Sequence, residues 1–320
     1  MMPLISFIVT YHNEPEAYLR ACLESIHALP LAEDEAEIIV VDDGKTLSNS
    51  PLKGENTEAS PGGGLEGAVL IRQEQAGLSV ARNTGIANAR GLYIQFVDAD
   101  DQLIPSAYEA VIEQLRKKEA DVVMFKMMAS TQPSPKEKEM SRGTWLSLWP
   151  PTFGSPLLWR GRGRLFLQHR NLRAGACGYA FKREILGELR FYPGLLHEDE
   201  LFTPQLFLKA DTLVELDVKA YFYRQHSGTI THSQTSEQVQ KRLNDIHFIL
   251  NELKSLDNPL LERRVRQLTV DYLQKAWTLT HSFSELRRRK SELRKEGFVP
   301  LPLRRYSLRY LSFALLTKVF

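Results

Sequence analysis

The chain has 320 residues, 43% hydrophobic and 25% charged, a composition that suits one large domain or a domain with an appendage and excludes a disordered or fibrous class. Two cysteines, Cys22 and Cys177, are too few for a disulfide framework or a zinc motif, and they point to a reducing compartment. The net charge of +2 is unevenly spread, with 10 Lys+Arg against 3 Asp+Glu in residues 284–320, so a basic tail follows a mildly acidic body.

Met1 to Thr10 lacks the basic region and apolar run of a signal peptide and reads as a first β-strand, with Leu4 to Val9 apolar. Asn13-Glu14-Pro15 supplies a helix cap with Pro at the first helical position, and Ala17, Tyr18, Cys22, Leu23, Ile26 and Leu29 follow at helical spacing. Strands are predicted at Ile38–Val41, Val69–Arg72, Leu92–Val97 and Asp121–Lys126. Helices are predicted over Ser79–Arg90, closed by Gly91, and from Pro105 onward through Val111, Ile112 and Leu115. This alternation implies an α/β domain with a largely parallel sheet.

Two segments break the pattern. Lys45 to Gly67, with Gly62-Gly63-Gly64, reads as a mobile loop, and Thr131 to Arg173, with Trp145, Trp149 and Trp159, has no clear period. After Thr235 the chain turns helical: Val239, Leu243, Ile246, Leu250 and Leu253 form one stripe, and a second helix is expected over Leu260–Phe283. No stretch reaches the ~18 uncharged apolar residues of a membrane span.

Three of the strands end in polar clusters: Thr10-Tyr11-His12-Asn13-Glu14, Asp42-Asp43-Gly44 and Asp98-Ala99-Asp100-Asp101. In an open parallel sheet, ligands bind beyond the carboxyl ends of the strands, so the three clusters would share one crevice. Asp98 and Asp100, two apart on an extended backbone, would aim the same way. Magnesium and similar hard cations take one or two carboxylates and complete their shell with water and substrate phosphates. A solvated turn is the other outcome for such a pair, and Asp42-Asp43-Gly44 is also ordinary turn chemistry. Gly44-Lys45-Thr46 is no phosphate loop, since Ile39 stands where that motif needs glycine, and no G-x-G-x-x-G follows the first strand.

These residues carry a resemblance. Ser6 to Glu14, then Val40-Val41-Asp42-Asp43-Gly44, resembles the opening of glycosyltransferase family 2. Gly77-Leu78-Ser79-Val80-Ala81-Arg82-Asn83-Thr84-Gly85 is similar to that family's Gly-x-Ser-x-Ala-Arg-Asn-x-Gly segment, and it runs into Gly91–Asp101 with the D-x-D. His197-Glu198-Asp199-Glu200-Leu201-Phe202 matches the family's Glu-Asp motif, and Tyr221-Phe222-Tyr223-Arg224 a pattern that follows it. The match covers roughly residues 4 to 230, in order.

The resemblance implies a GT-A type, Rossmann-like fold, with a mostly parallel central sheet flanked by helices and a helical C-terminal extension. The implied division is a catalytic domain over 1–232, with residues 1–130 binding the donor and 131–232 the acceptor, and a helical region over 233–320. The implied reaction is inverting transfer of a hexosyl or N-acetylhexosaminyl group from a nucleotide-diphosphate-sugar, UDP-sugar foremost, to an acceptor hydroxyl. Thr10, Tyr11, Glu14, Asp43, Gln75 and Arg82 would contact the donor, with Asp42 the lesser candidate for the base. Asp98 would serve donor sugar and metal, Asp100 the metal, manganese or magnesium, and Asp199 would be the catalytic base. Glu198 is the alternative base, and a helix cap the bland role for Asp199. Gln75, Lys45 and the loop over 46–67 depart from the family pattern.

A saccharide or lipid-linked saccharide acceptor is implied, as in bacterial surface-polysaccharide assembly, at a cytoplasmic or inner-membrane peripheral location. Arg224 would assist the leaving group or form a surface ion pair, and His197, His226 and His232 are packed, exposed or a third metal ligand. In the tail, Arg287 to Lys290, Arg294-Lys295, Arg304-Arg305 and Arg309 interleave with Leu286, Leu293, Phe298, Leu301, Tyr306, Leu308, Tyr310, Leu311 and Phe313. That mixture describes an anchor on anionic lipid or a docked helix with a solvated basic face. No nucleic-acid module accompanies it. A magnesium-dependent phosphohydrolase and a non-catalytic nucleotide-sugar-binding protein are the rival functions.

Overall fold

A computed structural model describes residues 2–44, 67–130, 157–160, 163–170, 172, 174–225 and 235–319. The sequence readings at 45–66, most of 131–173, and His226 and His232 lie outside them. The described residues divide into two compact units. One comprises 1–163, 175–194 and 209–227, and the other 164–174, 195–208 and 228–320.

The first unit is built on β1 (Ile5–Tyr11), β2 (Ala36–Asp43), β3 (Ala68–Gln73) and β4 (Tyr93–Asp98). All four are parallel, in the order β3-β2-β1-β4, with Thr10 beside Asp98 and Tyr11 beside Asp42. Every residue of β1 is buried, as expected for a central strand covered on both faces. Short β5 (Gln102–Leu103), β6 (Val122–Ser130), β7 (Leu157–Arg160), β8 (Tyr179–Lys182) and β9 (Thr212–Arg224) continue the sheet as a mixed half. β8 runs antiparallel to β4 and β6, and β9 lies parallel to β6.

Strands β5, β7, β8 and β9 were not legible from the residues. β9 carries a usable signal, the alternation of Leu213, Glu215 and Asp217 with Val214 and Leu216, but its pairing joins residues some 90 apart in sequence.

Helices α1 (Glu16–His27), α2 (Leu78–Asn88) and α3 (Pro105–Lys117) belong with the sheet. α1 begins one residue later than the Pro rule predicts. Pro15 is the N-cap, while Asn13 is left-handed at φ 60° and the Glu14 carboxylate accepts a 2.5 Å bond from His12 N–H. α2 ends before Arg90 because Glu37 competes for the backbone there. Its carboxylate accepts from Arg90 N–H, Gly91 N–H and Ser6 Oγ, tying β1, β2 and the approach to β4 together. These bonds hold the Glu37 carboxyl below its usual range although burial opposes them.

A Cβ at Gly91 would stand 2.6 Å from the Ser6 backbone nitrogen. Gly91→Ala is therefore expected to destabilise the protein by about 1–3 kcal/mol, read as a lower urea midpoint.

The second unit holds most of α4 (Gly163–His169) and of α5 (Asp199–Lys209), with α6 (Ser236–Ser255), α7 (Glu262–Thr280), α8 (Phe283–Lys295) and α9 (Leu308–Val319). The predicted single helix over 260–283 is a 3-10 turn at 259–261 followed by α7, which stops at a left-handed His281. Ser282 then caps α8 by accepting from Glu285 N–H. Of the α6 stripe, Leu243, Ile246, Leu250 and Leu253 are buried, and Ile249 joins them. Arg289, read as belonging to a basic face, is 2% exposed. It pairs with Glu285 and donates to Tyr272 Oη and Gln240 Oε1. α8 is thus docked by its own arginine. No described helix is long and apolar enough to cross a membrane.

Candidate active site

The parallel strands β2, β1 and β4 are neighbours, so their polar carboxyl-terminal residues meet at one edge. Asp98 closes β4 and is flanked by Thr10 Oγ1 at 3.5 Å and Arg82 Nη2 at 3.1 Å, both on Oδ1. Its Oδ2 accepts no side-chain bond among the described residues. Arg82, on α2, is 4% exposed and lies against the rings of Phe96 and Phe191. A buried guanidinium needs such partners to offset its desolvation.

Asp43 has both oxygens engaged. Gln73 Nε2, Ala76 N–H and Gly77 N–H each donate to it at 2.8 Å, which fixes the turn before α2. Gly77 accepts this turn at φ 91°, a value that favours glycine. Asp42 is fully buried. His12 spans the gap between strands, with Nδ1 bonded to the Asp43 carbonyl and Nε2 3.3 Å from Gln75 Nε2. Tyr11 Oη donates to the Glu14 carbonyl at 2.8 Å. Thr10, Tyr11, Glu14, Asp43, Gln75, Arg82, Asp98 and Asp100 therefore all belong to the first unit, around these strand ends.

Asp101 was not singled out from the sequence, yet it organises the turn. It is fully buried and accepts from Tyr221 Oη at 2.7 Å and from Arg224 N–H at 2.8 Å. Burial, with the charges of Asp98 and Asp100, pushes its carboxyl up to about 9. Tyr221 Oη also receives Asp98 N–H at 3.1 Å. Arg224 is no surface ion pair. It is 8% exposed, stacks 4.4 Å over the Tyr18 ring and donates from Nε to the Asp100 carbonyl at 2.8 Å. The signal for these contacts was the Tyr-x-Tyr-Arg run itself, but its partner lies 120 residues earlier. Cys22 and Cys177 are free and buried, and burial pushes both thiols up, so neither is a nucleophile.

Among the described residues no group of three or more His, Cys, Asp or Glu is placed to hold a divalent cation by itself. The Glu14 carboxyl is raised by burial and also by Asp100 and Asp98, so three carboxylates share this edge, with Arg82 paired to Asp98. Asp100 is half-buried, and an open site of one or two carboxylates is what such cations use beside a diphosphate.

Asp199 belongs to the helical unit, as the first residue of α5, and is half-buried, whereas Glu198 is 6% exposed. The segment is pinned from α6 and α7. Leu196 N–H donates to Asp245 Oδ2 at 2.8 Å, Lys275 Nζ lies 3.2 Å from His197 Nε2, and Arg264 pairs with Glu200. The Asp199 charge also works against the lowering that burial imposes on Lys275 and Arg264. His197 and Glu200 line a cavity of about 260 Å³ with Asp271, Gln274 and Lys275.

Burial, then Lys275 and Arg242, hold the His197 imidazole down to about 4, with Asp245 opposing. Its unfolded value is roughly 6.5, so its contribution is complete above that pH and is lost as pH falls towards the folded value. Between pH 7 and pH 5 the protein should lose about 1–2 kcal/mol that His197→Asn retains, measured by urea unfolding at both pH values. Asparagine is the apt replacement because His197 sits at φ 63°.

The sequence model described as Glycosyl transferase family 2 matches residues 6–190. Among curated proteins, Glycosyltransferase GlyA of Streptococcus pneumoniae serotype 4 is 26% identical over 263 residues, 80% of this chain and 35% of GlyA. Glycosyltransferase GlyG of the same organism is 28% identical over 293 residues, 86% of this chain and 89% of GlyG. The chain thus spans about a third of the first relative and most of the second. Among solved structures, S. aureus TarS 1-349 in complex with UDP-GlcNAc superposes with a TM-score of 0.63 at 18% identity, covering 98% of this chain and 87% of that one. That likeness places the fold with GT-A glycosyltransferase structures.

Proposed function

The chain belongs to glycosyltransferase family 2, and from that premise we propose that it transfers a sugar from a nucleotide-diphosphate-sugar to an acceptor hydroxyl with inversion. The observation that carries this reading is the shared edge of β2, β1 and β4, where Thr10 and Arg82 both donate to Asp98. A UDP-sugar is the donor favoured by the likeness to a structure that holds UDP-GlcNAc. The acceptor is a saccharide or lipid-linked saccharide of a bacterial surface glycan, by analogy with the family.

The roles follow from chemistry. Thr10, Tyr11 and Glu14 would line the nucleoside pocket. Asp43 would fix the 74–77 turn and offer its remaining lone pair to the base, with Gln75 and His12 at the rim. Arg82 orients Asp98, whose Oδ2 would accept from a donor-sugar hydroxyl or join Asp100 as a metal ligand. A manganese or magnesium ion held there would offset the charge that builds on the departing diphosphate. A sugar hydroxyl is a weak nucleophile at neutral pH, so a carboxylate must take its proton as it attacks, and we assign that role to Asp199 by the family's Glu-Asp motif. Inversion needs a single displacement, so no covalent nucleophile is assigned.

The experiment is a panel of UDP-, GDP- and dTDP-sugars, with and without manganese, read by calorimetric binding and by nucleotide release. Metal-dependent binding of one class is expected. Phosphate release without sugar transfer would instead mark a phosphohydrolase, and binding without turnover on any acceptor a non-catalytic protein.

A further inference from the structure

The last helix has two faces of opposite character. Tyr310, Ala314 and Thr317 point inward and are at most 2% exposed. The helix is fastened by the Arg309–Asp271 ion pair, by Tyr310 Oη donating to the Pro302 carbonyl at 3.0 Å and by Thr317 Oγ1 accepting from Leu301 N–H at 3.1 Å. Leu308, Leu311, Ser312, Leu315 and Leu316 recur at the spacing of one helix face. On that face Leu308 is 87% exposed, Leu315 54% and Leu316 49%, and Leu303 just before the helix is 52% exposed.

The charge around this stripe is of one sign. After Glu296 the chain carries Arg304, Arg305, Arg309 and Lys318 and no Asp or Glu. Arg304, Arg305 and Lys318 are exposed, and no ion pair is formed by them among the described residues. The α8 cations are turned to another use. Lys290 Nζ and Arg294 Nη2 lie 3.4 Å from the carbonyls of Leu316 and Thr317, at the negative end of α9.

We infer that the outer face of α9, with Arg304 and Arg305, is a docking surface for an anionic lipid bilayer. An apolar stripe laid in the headgroup boundary, flanked by unpaired cations, is the arrangement that binds such surfaces, and its strength grows with both apolar area and charge. A second copy of the chain is a poorer occupant, because pairing this face with itself brings like charges together without a carboxylate to offset them. The surface is α9 rather than the arginine-rich α8, whose Arg288 and Arg289 are already paired with Glu285. Failure of this inference would leave the transferase reading untouched, since it rests on no donor-site residue.

The test is flotation of the full chain with phosphatidylcholine vesicles, with and without about 30 mol% phosphatidylglycerol, at low and high salt. Flotation with the anionic vesicles is expected, weakened by salt. Leu308→Gln with Leu315→Gln, and separately Arg304→Glu with Arg305→Glu, should each cut it by roughly tenfold or more, with thermal unfolding unchanged because these side chains are exposed. No flotation of the parent chain, or flotation unchanged in the leucine pair, would overturn the inference. So would binding that needs the arginines but not the leucines, which marks adsorption by charge alone without the apolar face. A solution dimer that the leucine pair dissolves would assign the face to self-association and overturn it as well.

Discussion

Asp199→Asn is expected to lower sugar transfer by a factor of about 10²–10⁴, the usual worth of a positioned general base. Asparagine keeps the size of the side chain and its hydrogen-bonding reach but cannot take the acceptor proton at neutral pH. Donor affinity, measured by calorimetry, should stay within roughly twofold, because the loss falls on kcat and not on ground-state binding. Lys275 and Arg264 also feel the Asp199 charge, so a structural contribution must be separated. An unchanged unfolding midpoint with a collapsed kcat identifies the base. Glu198→Gln is the comparison: Glu198 is 6% exposed, and its substitution should act on stability more than on rate. Retention of more than a few per cent of turnover by Asp199→Asn, with loss in Glu198→Gln, would move the role to Glu198.

Asp100→Ala is expected to abolish metal-dependent donor binding and to reduce transfer by about 10²–10³, similar to the loss of a main electrostatic stabiliser. Chelation of the parent protein should give the same loss, restored by added manganese or magnesium. Asp100 is a cleaner test than Asp98. Asp98→Ala would also deprive the buried Arg82 of its carboxylate, mixing a folding defect with a catalytic one. Donor binding that is equally tight in Asp100→Ala with and without metal would remove Asp100 from the metal site.

Much of the first unit is determined locally. The apolar runs at the positions of β1, β2, β3 and β4 lack polar alternation because parallel strands are covered on both faces, and their ends are marked by the polar residues that follow. The order strand, helix, strand then fixes a largely parallel sheet, and the family motifs mark the strand ends at which the donor site is proposed. The sequence by itself therefore determined the α/β class, the family, and the clusters Thr10–Glu14, Asp42–Asp43 and Asp98–Asp101.

Only the tertiary structure decided how those clusters are held. That Arg82 faces Asp98 depends on α2 packing against the sheet, and that Asp43 is spent on the turn before Gly77 depends on the β2–β3 register. Asp101 and Tyr221 meet across 120 residues, a contact that no local pattern encodes. The grouping of Asp199 with the C-terminal helices, through Asp245, Lys275 and Arg264, is equally non-local. In the basic tail, residue type alone left each arginine equivalent. Packing buried Arg289 against Tyr272 and left Arg304 and Arg305 in solvent, because a long side chain takes whichever partner the fold brings within reach.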